Sequence, residues 1–175
     1  VAGYLYPEHG EEAIASGLID FMGMGRAWVS NPDYDKVLYE GQRDELVPCI
    51  RCNKCYNGGG SKVPNRDLCS VNPMWGWESR EHLFKKPVEN VKTIAVVGGG
   101  PAGMEAAIVA AKRGHKVTLF EMTDKLGGQL NIAEIPSFKW PVRDFKQFLI
   151  DQCAKYGVEV RLNTKATQAI LEEGN

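Results

Sequence analysis

The stretch Lys92-Thr-Ile-Ala-Val-Val97-Gly98-Gly99-Gly100-Pro101-Ala102-Gly103-Met104 decides the fold. Its first half is short, apolar and β-branched, the composition of a buried strand. Its second half supplies G-x-G-x-x-G, and an Ala-rich helical pattern then runs from Met104 to Arg113 until Gly114 stops it. Val117-Thr-Leu-Phe120 reads as a second strand, closed by Glu121 at 23 residues beyond Gly98. A lone G-x-G-x-x-G is a weak signal. Between a strand and a helix, and answered by an acid at that distance, it is a dinucleotide-binding pattern of an α/β domain. Gly98 permits the tight turn, Gly100 lets the backbone approach a pyrophosphate, and Gly103 allows close helix–strand packing. The helix N-terminus faces the phosphates, and Glu121 can accept hydrogen bonds from a ribose diol. An acid there, in place of an arginine, argues against a 2′-phosphate and for FAD, NAD or ADP.

Toward the C-terminus, Asp124-Lys-Leu-Gly127-Gly128-Gln129-Leu130 adds a second glycine loop that can close over a flavin nucleotide. Residues 144–156 read as a helix, and 158–162 as a third parallel strand. A whole domain of this kind needs more strands. The expectation is therefore its first half, in a piece of a longer polypeptide.

Toward the N-terminus, Cys49-Ile-Arg-Cys52-Asn-Lys-Cys55 is followed by Cys69, a C-x2-C-x2-C-x13-C spacing. Three thiolates two residues apart let one loop wrap three corners of a cube, with the fourth corner supplied from a distance. That suits a [4Fe–4S] cluster. Zinc sites more often use two separate C-x2-C pairs, and zinc stays open as an alternative. Disulfides are disfavoured by the close spacing and the lack of a secretory pattern. Arg51, Lys54, Lys62, Arg66 and the backbone N–H groups of 57–60 could neutralise an anionic cluster, or form an ordinary solvated basic loop. Trp75 and Trp77 read as packing residues. Cys153 falls on the apolar face of the 144–156 helix and reads as a small buried hydrophobe.

Residues 8–16 read as a short helix stopped by Gly17, and 18–24 as a buried strand. The strand delivers Gly25-Arg26 to a loop, and Asn31-Pro32-Asp33 turns the chain into another helix. Glycine followed by arginine can hold an anion, or can simply be a strand-to-helix turn.

Composition sets the outer bounds. Glycine is 19 of 175 residues and cysteine 5. With 21 basic against 22 acidic residues, nothing in the balance calls for nucleic acid. No run of 18 apolar residues exists to span a membrane. Residues 1–48 carry 3 basic and 9 acidic residues, 49–90 carry 7 and 4, and 91–175 carry 11 and 9. The three segments differ in kind.

Together, the Gly-Arg loop, the C-x2-C-x2-C…C pattern and Val96-Val-Gly-Gly-Gly-Pro-Ala-Gly-Met-Glu-Ala-Ala107 resemble the iron–sulfur branch of the Old Yellow Enzyme family, which includes 2,4-dienoyl-CoA reductase and trimethylamine dehydrogenase. The likeness covers essentially the whole chain. It implies an α/β fold in three parts: the C-terminal end of an FMN-binding TIM barrel over 1–48, a [4Fe–4S] loop and linker over 49–90, and a partial Rossmann-like FAD/NAD-binding domain over 91–175. It also turns the reading of Gly25-Arg26 toward a flavin phosphate site, held with Gly3. Cys49, Cys52, Cys55 and Cys69 match the cluster ligands. FAD, or ADP as in the amine dehydrogenases, is placed against Gly98, Gly100, Ala102, Gly103, Glu121, Gly128 and Gln129, with Lys139 near the cofactor and Ala166 meeting the adenine. The implied activity passes electrons from NAD(P)H through FAD and the cluster to FMN, reducing an activated C=C bond of an enoate or enoyl-CoA. The alternative is an amine dehydrogenase running electrons outward, and the x2 gap before Cys55 looks more like that group. A non-catalytic electron-transfer or zinc-stabilised module is a third possibility. The substrate-facing acid and base belong to barrel strands absent from this sequence, so no catalytic residue is named. The resemblance further implies a cytoplasmic homo-oligomer that binds a small molecule, without nucleic acid or membrane partners.

Overall fold

The computed structural model describes residues 3–56, 69–82 and 86–172. It divides into two compact units, Val1–Ser79 and Arg80–Asn175. The division falls inside the segment read above as 49–90, so the cysteine loop belongs with the N-terminal residues.

In the first unit, α1 (Pro7–Ala15), α2 (Arg26–Ser30) and α3 (Tyr34–Tyr39) are followed by single turns of 3-10 helix at Arg43–Glu45 and Lys54–Tyr56. Helix α1 ends as its sequence indicates. Gly17 takes a φ of +70°, so its N–H reaches the Ile14 carbonyl and that of Leu18 reaches Ala13. Ala27, Tyr34 and Leu46 form a small core with Met24, Val37 and Leu38 against it. Two polar side chains hold this core together. The Asn31 carboxamide donates to the Val47 carbonyl and accepts from the Val47 N–H, at 2.9 and 2.7 Å, replacing a strand partner with a side chain. The Tyr34 hydroxyl donates to the Leu5 carbonyl at 3.3 Å, and burial pushes its pKa up to about 12, so it stays protonated and able to donate.

The buried strand expected over 18–24 does not form. Only an isolated bridge at Gly23 marks the segment, and Leu18 and Phe21 are 76% and 84% exposed. A parallel strand needs a hydrogen-bonding neighbour, and among the described residues of this unit there is none.

The second unit is α/β. Strands β1 (Thr93–Val97), β2 (Lys116–Phe120) and β3 (Glu159–Arg161) form a parallel sheet in the order β1-β2-β3. Helix α4 (Pro101–Lys112) crosses from β1 to β2. Helices α5 (Leu130–Ala133) and α6 (Trp140–Lys155) lie between β2 and β3, and α7 (Gln168–Glu172) follows. Met104, Leu119, Leu149 and Cys153 are almost wholly enclosed between sheet, α4 and α6. Each large side chain so buried contributes about 1.5–3 kcal/mol. Cys153 is thus the packing residue its helical position indicated.

Helix α4 lies so close to the sheet that a Cβ on Gly103 would overlap the Gly98 carbonyl oxygen. The obstacle is backbone and cannot rotate away. Gly103→Ala is expected to lower the unfolding free energy by about 1–3 kcal/mol, read as a lower urea midpoint at unchanged slope. An unchanged midpoint would contradict this packing.

Candidate functional site

The first unit holds a cavity of about 530 Å³ lined by Gly3, Leu5, Gly25, Arg26, Asn53 and Tyr56, among others. The Tyr34–Leu5 hydrogen bond positions one wall, and the start of α2 forms another. Gly3, Gly25 and Arg26, which the sequence reading grouped at one anion site, therefore face one space. Asn53, from between the second and third cysteines, joins them. Its carboxamide oxygen accepts from Arg26 Nη1 at 2.6 Å. Arg51 Nη2 donates to the Gly3 carbonyl at 3.1 Å. A guanidinium with two bare glycines beside it suits a phosphate oxyanion.

The cysteine loop is wound tightly. Arg51 and Asn53 both adopt left-handed backbone, with φ of 54° and 57°, an unusual conformation for residues with side chains. The four thiols share one neighbourhood. Burial raises the pKa of Cys49 against the N–H of Arg51 and the charge of Arg26, and the neighbouring Cys69 and Cys52 add to the rise. Burial and Cys69 likewise raise Cys55. At Cys52 burial is outweighed by the Ser70 hydroxyl, 3.3 Å from its sulfur, and by backbone N–H groups including that of Lys54, so its pKa falls. Among the described residues, however, no three His, Cys, Asp or Glu side chains are arranged to hold a metal ion. Four thiolates repel one another, and drawing them in requires the charge of a bound centre. Four thiols are the donor type that an iron–sulfur cubane takes. The expected contributions of Lys62, Arg66 and 57–60 lie outside the described residues. Trp75 and Trp77 are half-buried.

In the second unit the glycines act as the sequence assigned them sterically. The Gly98 N–H continues the ladder to the Phe120 carbonyl at 2.8 Å. Gly100 caps α4, and nothing lies within 4 Å of where its Cβ would be, so its backbone faces open space. Ala102 is exposed on the first turn. The second glycine loop folds back on the first: Gly127 N–H donates to the Gly99 carbonyl at 2.8 Å, and a Cβ on Gly128 would stand 3.0 Å from Gly100 Cα. Gln129 is exposed at the start of α5. Sequence reasoning missed what fastens this loop. Asn131 donates to the Leu126 carbonyl at 3.0 Å, and Lys146, from α6, bonds both Asn131 and Glu134. Their spacing of 15 and 12 residues leaves no local signal.

Glu121 sits at the end of β2, 8% exposed. One carboxylate oxygen accepts the N–H and hydroxyl of Thr123, both at 2.8 Å, and the other accepts the Gly99 N–H at 2.7 Å. These N–H bonds, Thr123 foremost, hold its pKa below 4.5. The oxygen bonded to Gly99 keeps a lone pair for a further donor such as a ribose hydroxyl. The segment after β3 runs alongside, through Thr164 N–H to the Glu121 carbonyl at 2.9 Å, which brings half-buried Ala166 toward this end of the sheet. Lys139 is exposed, 5.9 Å from the Phe138 ring, with no described bond to the glycine loops.

The family model described as pyridine nucleotide-disulphide oxidoreductase matches residues 71–174. The chain is 43% identical to an NADH oxidase of Thermoanaerobacter brockii, over 91% of this chain and 24% of that protein. It is 36% identical to a cinnamate reductase of Clostridium sporogenes, over 95% and 25%. A solved 2-naphthoyl-CoA reductase complexed with 2-naphthoyl-CoA superimposes with a TM-score of 0.88 at 32% identity, over 97% of this chain and 26% of that one. The chain belongs to the pyridine nucleotide-disulphide oxidoreductases, in their iron–sulfur flavoenzyme group. Amine dehydrogenases are among this group's matches as well. The chain spans about a quarter of the length of these relatives.

The depressed acid of Glu121 has a definite pH signature. A carboxyl whose pKa is lower folded than unfolded stabilises above the unfolded value, and that stabilisation is lost as pH falls through the folded value. Glu121→Gln is expected to lower stability by about 1–2 kcal/mol at pH 7. The gap to the native protein should close progressively as pH drops below 4.5, in urea titrations from pH 7 to 3. A gap independent of pH would refute the assignment.

Proposed function

We propose that this chain is the junction of a multi-cofactor flavin oxidoreductase, joining an FMN-binding barrel from the remainder of the same polypeptide to an FAD- or ADP-binding domain. Cys49, Cys52, Cys55 and Cys69 hold a [4Fe–4S] cluster in this reading. The observation that carries it is the cavity where Gly3, Gly25 and Arg26 meet Asn53 of the cysteine loop. A flavin phosphate and a cluster on these residues would be neighbours within one unit.

Arg26 neutralises the phosphate while Gly3 and Gly25 leave room for it. The N–H of Arg51 at Cys49 and that of Lys54 at Cys52 would tune the potential of a cluster held there. In the second unit, Gly98, Gly100, Ala102 and Gly103 present backbone and helix terminus to a pyrophosphate. Glu121 takes the ribose, Gly128 and Gln129 close over the nucleotide, and Ala166 lies toward the adenine, with Lys139 near the cofactor. When bound, the cofactors supply the redox chemistry, from NAD(P)H hydride through single-electron transfer to reduction of an activated C=C bond.

The relatives named for NADH oxidation, cinnamate and naphthoyl-CoA reduction favour an enoate or enoyl-CoA as substrate. The x2 gap before Cys55 favours a second reading, an amine dehydrogenase with a structural ADP. The five cysteines are all unpaired, which suits a reducing cytoplasm, and we expect a homo-oligomer. Among the described residues no helix is long and apolar enough to cross a membrane.

Metal, sulfide and nucleotide analysis of the purified protein tests this. Iron and labile sulfide in the equal amounts of a cubane are expected, with an EPR signal on reduction that Cys49→Ser abolishes. Stoichiometric zinc without iron would overturn the electron path. Acid release of ADP in place of FAD would select the amine dehydrogenase.

A further inference from the structure

The cysteine loop does more here than carry cysteines. Of its two non-ligand, left-handed residues, Asn53 lines the anion cavity and Arg51 bonds Gly3, which lines it. Arg51 spans from the loop to the Gly3 carbonyl, and Asn53 accepts from Arg26. Neither contact is made to a sulfur: the Arg51 side chain bonds Gly3, and that of Asn53 bonds Arg26, whose charge also reaches Cys49 and Cys55. Left-handed backbone is what aims them. Asparagine tolerates that conformation better than most residues, and its carboxamide offers Arg26 a neutral acceptor. A carboxylate there would instead neutralise the guanidinium and repel an anion. The neutral partner leaves the charge of Arg26 available and limits its rotamers, which is the property of a positioning residue.

We propose that Asn53 is the positioning residue of the anion cavity, with Arg51 bracing the Gly3 side, so that correct winding of the cysteine loop sets the affinity for a flavin phosphate. The inference rests on the FMN reading above. It makes the cluster loop a structural determinant of the neighbouring cofactor's retention, separate from electron transfer.

The test is equilibrium titration of the flavin-stripped, iron-loaded holoprotein with FMN and, separately, with riboflavin, which lacks the phosphate. Asn53→Gly keeps the left-handed turn and removes the acceptor. It is expected to raise the FMN dissociation constant about tenfold, with riboflavin affinity and iron content unchanged. Asn53→Asp keeps both turn and acceptor but adds a charge, and should weaken FMN further while again sparing riboflavin. Arg26→Ala supplies the reference. Equal weakening of FMN and riboflavin would mean a merely structural role and overturn the proposal. Unchanged FMN binding in both Asn53 variants, with Arg26→Ala still impaired, would also overturn it while leaving the FMN reading intact. If Arg26→Ala too binds FMN normally, the phosphate reading itself fails and the proposal falls with it.

Discussion

The contact between Gly103 and the Gly98 carbonyl sets the geometry of the second unit. It brings α4 onto the end of β1 at backbone distance, and this leaves the first helical turn and the Gly100 backbone bare. Everything else there is arranged around that approach. Gly99 gives its N–H to Glu121 and its carbonyl to Gly127, and having no side chain of its own it leaves room for those of Leu126 and Glu121 to pack against it. The acid at the end of β2 and the second glycine loop are thus tied to opposite sides of one peptide segment. The exposed backbone of the turn is held from three directions before any nucleotide arrives, and preorganisation of this sort lowers the ordering cost of binding.

The first unit solves a similar problem with side chains. It lacks a sheet among its described residues, and Asn31, Tyr34, Arg51 and Asn53 replace the ladder. Each bridges distant backbone or a distant guanidinium, Asn31 and Tyr34 from buried positions and Arg51 and Asn53 from exposed ones. Such bonds give modest net stability, about 1 kcal/mol apiece, but leaving their partners unpaired costs more. The arrangement therefore specifies position more than it adds strength.

What was legible in the sequence was local. The run Thr93–Val97, the turn at Gly98 and the acid at Glu121 could be read because propensity, glycine sterics and spacing agree within thirty residues. The second strand and the steric task of Gly103 followed from the same agreement. Helix α6 begins at Trp140, earlier than its charge pattern at Asp144 indicates, because Pro141 is accommodated in its first turn. Leu18–Met24 misled because its apolar run requires a partner strand, which local sequence cannot supply. Asn31, Asn131 and Lys146 carry no periodic signal, since their partners stand 12 to 16 positions away. The left-handed turns at Arg51 and Asn53 were hidden for another reason: neither is glycine, so the usual marker of that conformation was missing.

The bare segment around Leu18 and Phe21 also bears on handling. It sets large exposed apolar side chains on a stretch whose described strand pairing is one bridge at Gly23, a combination that can recruit strands from other molecules. Concentrated on its own, this chain has in that segment a ready site for self-pairing, and its solubility will be governed there before its stability is.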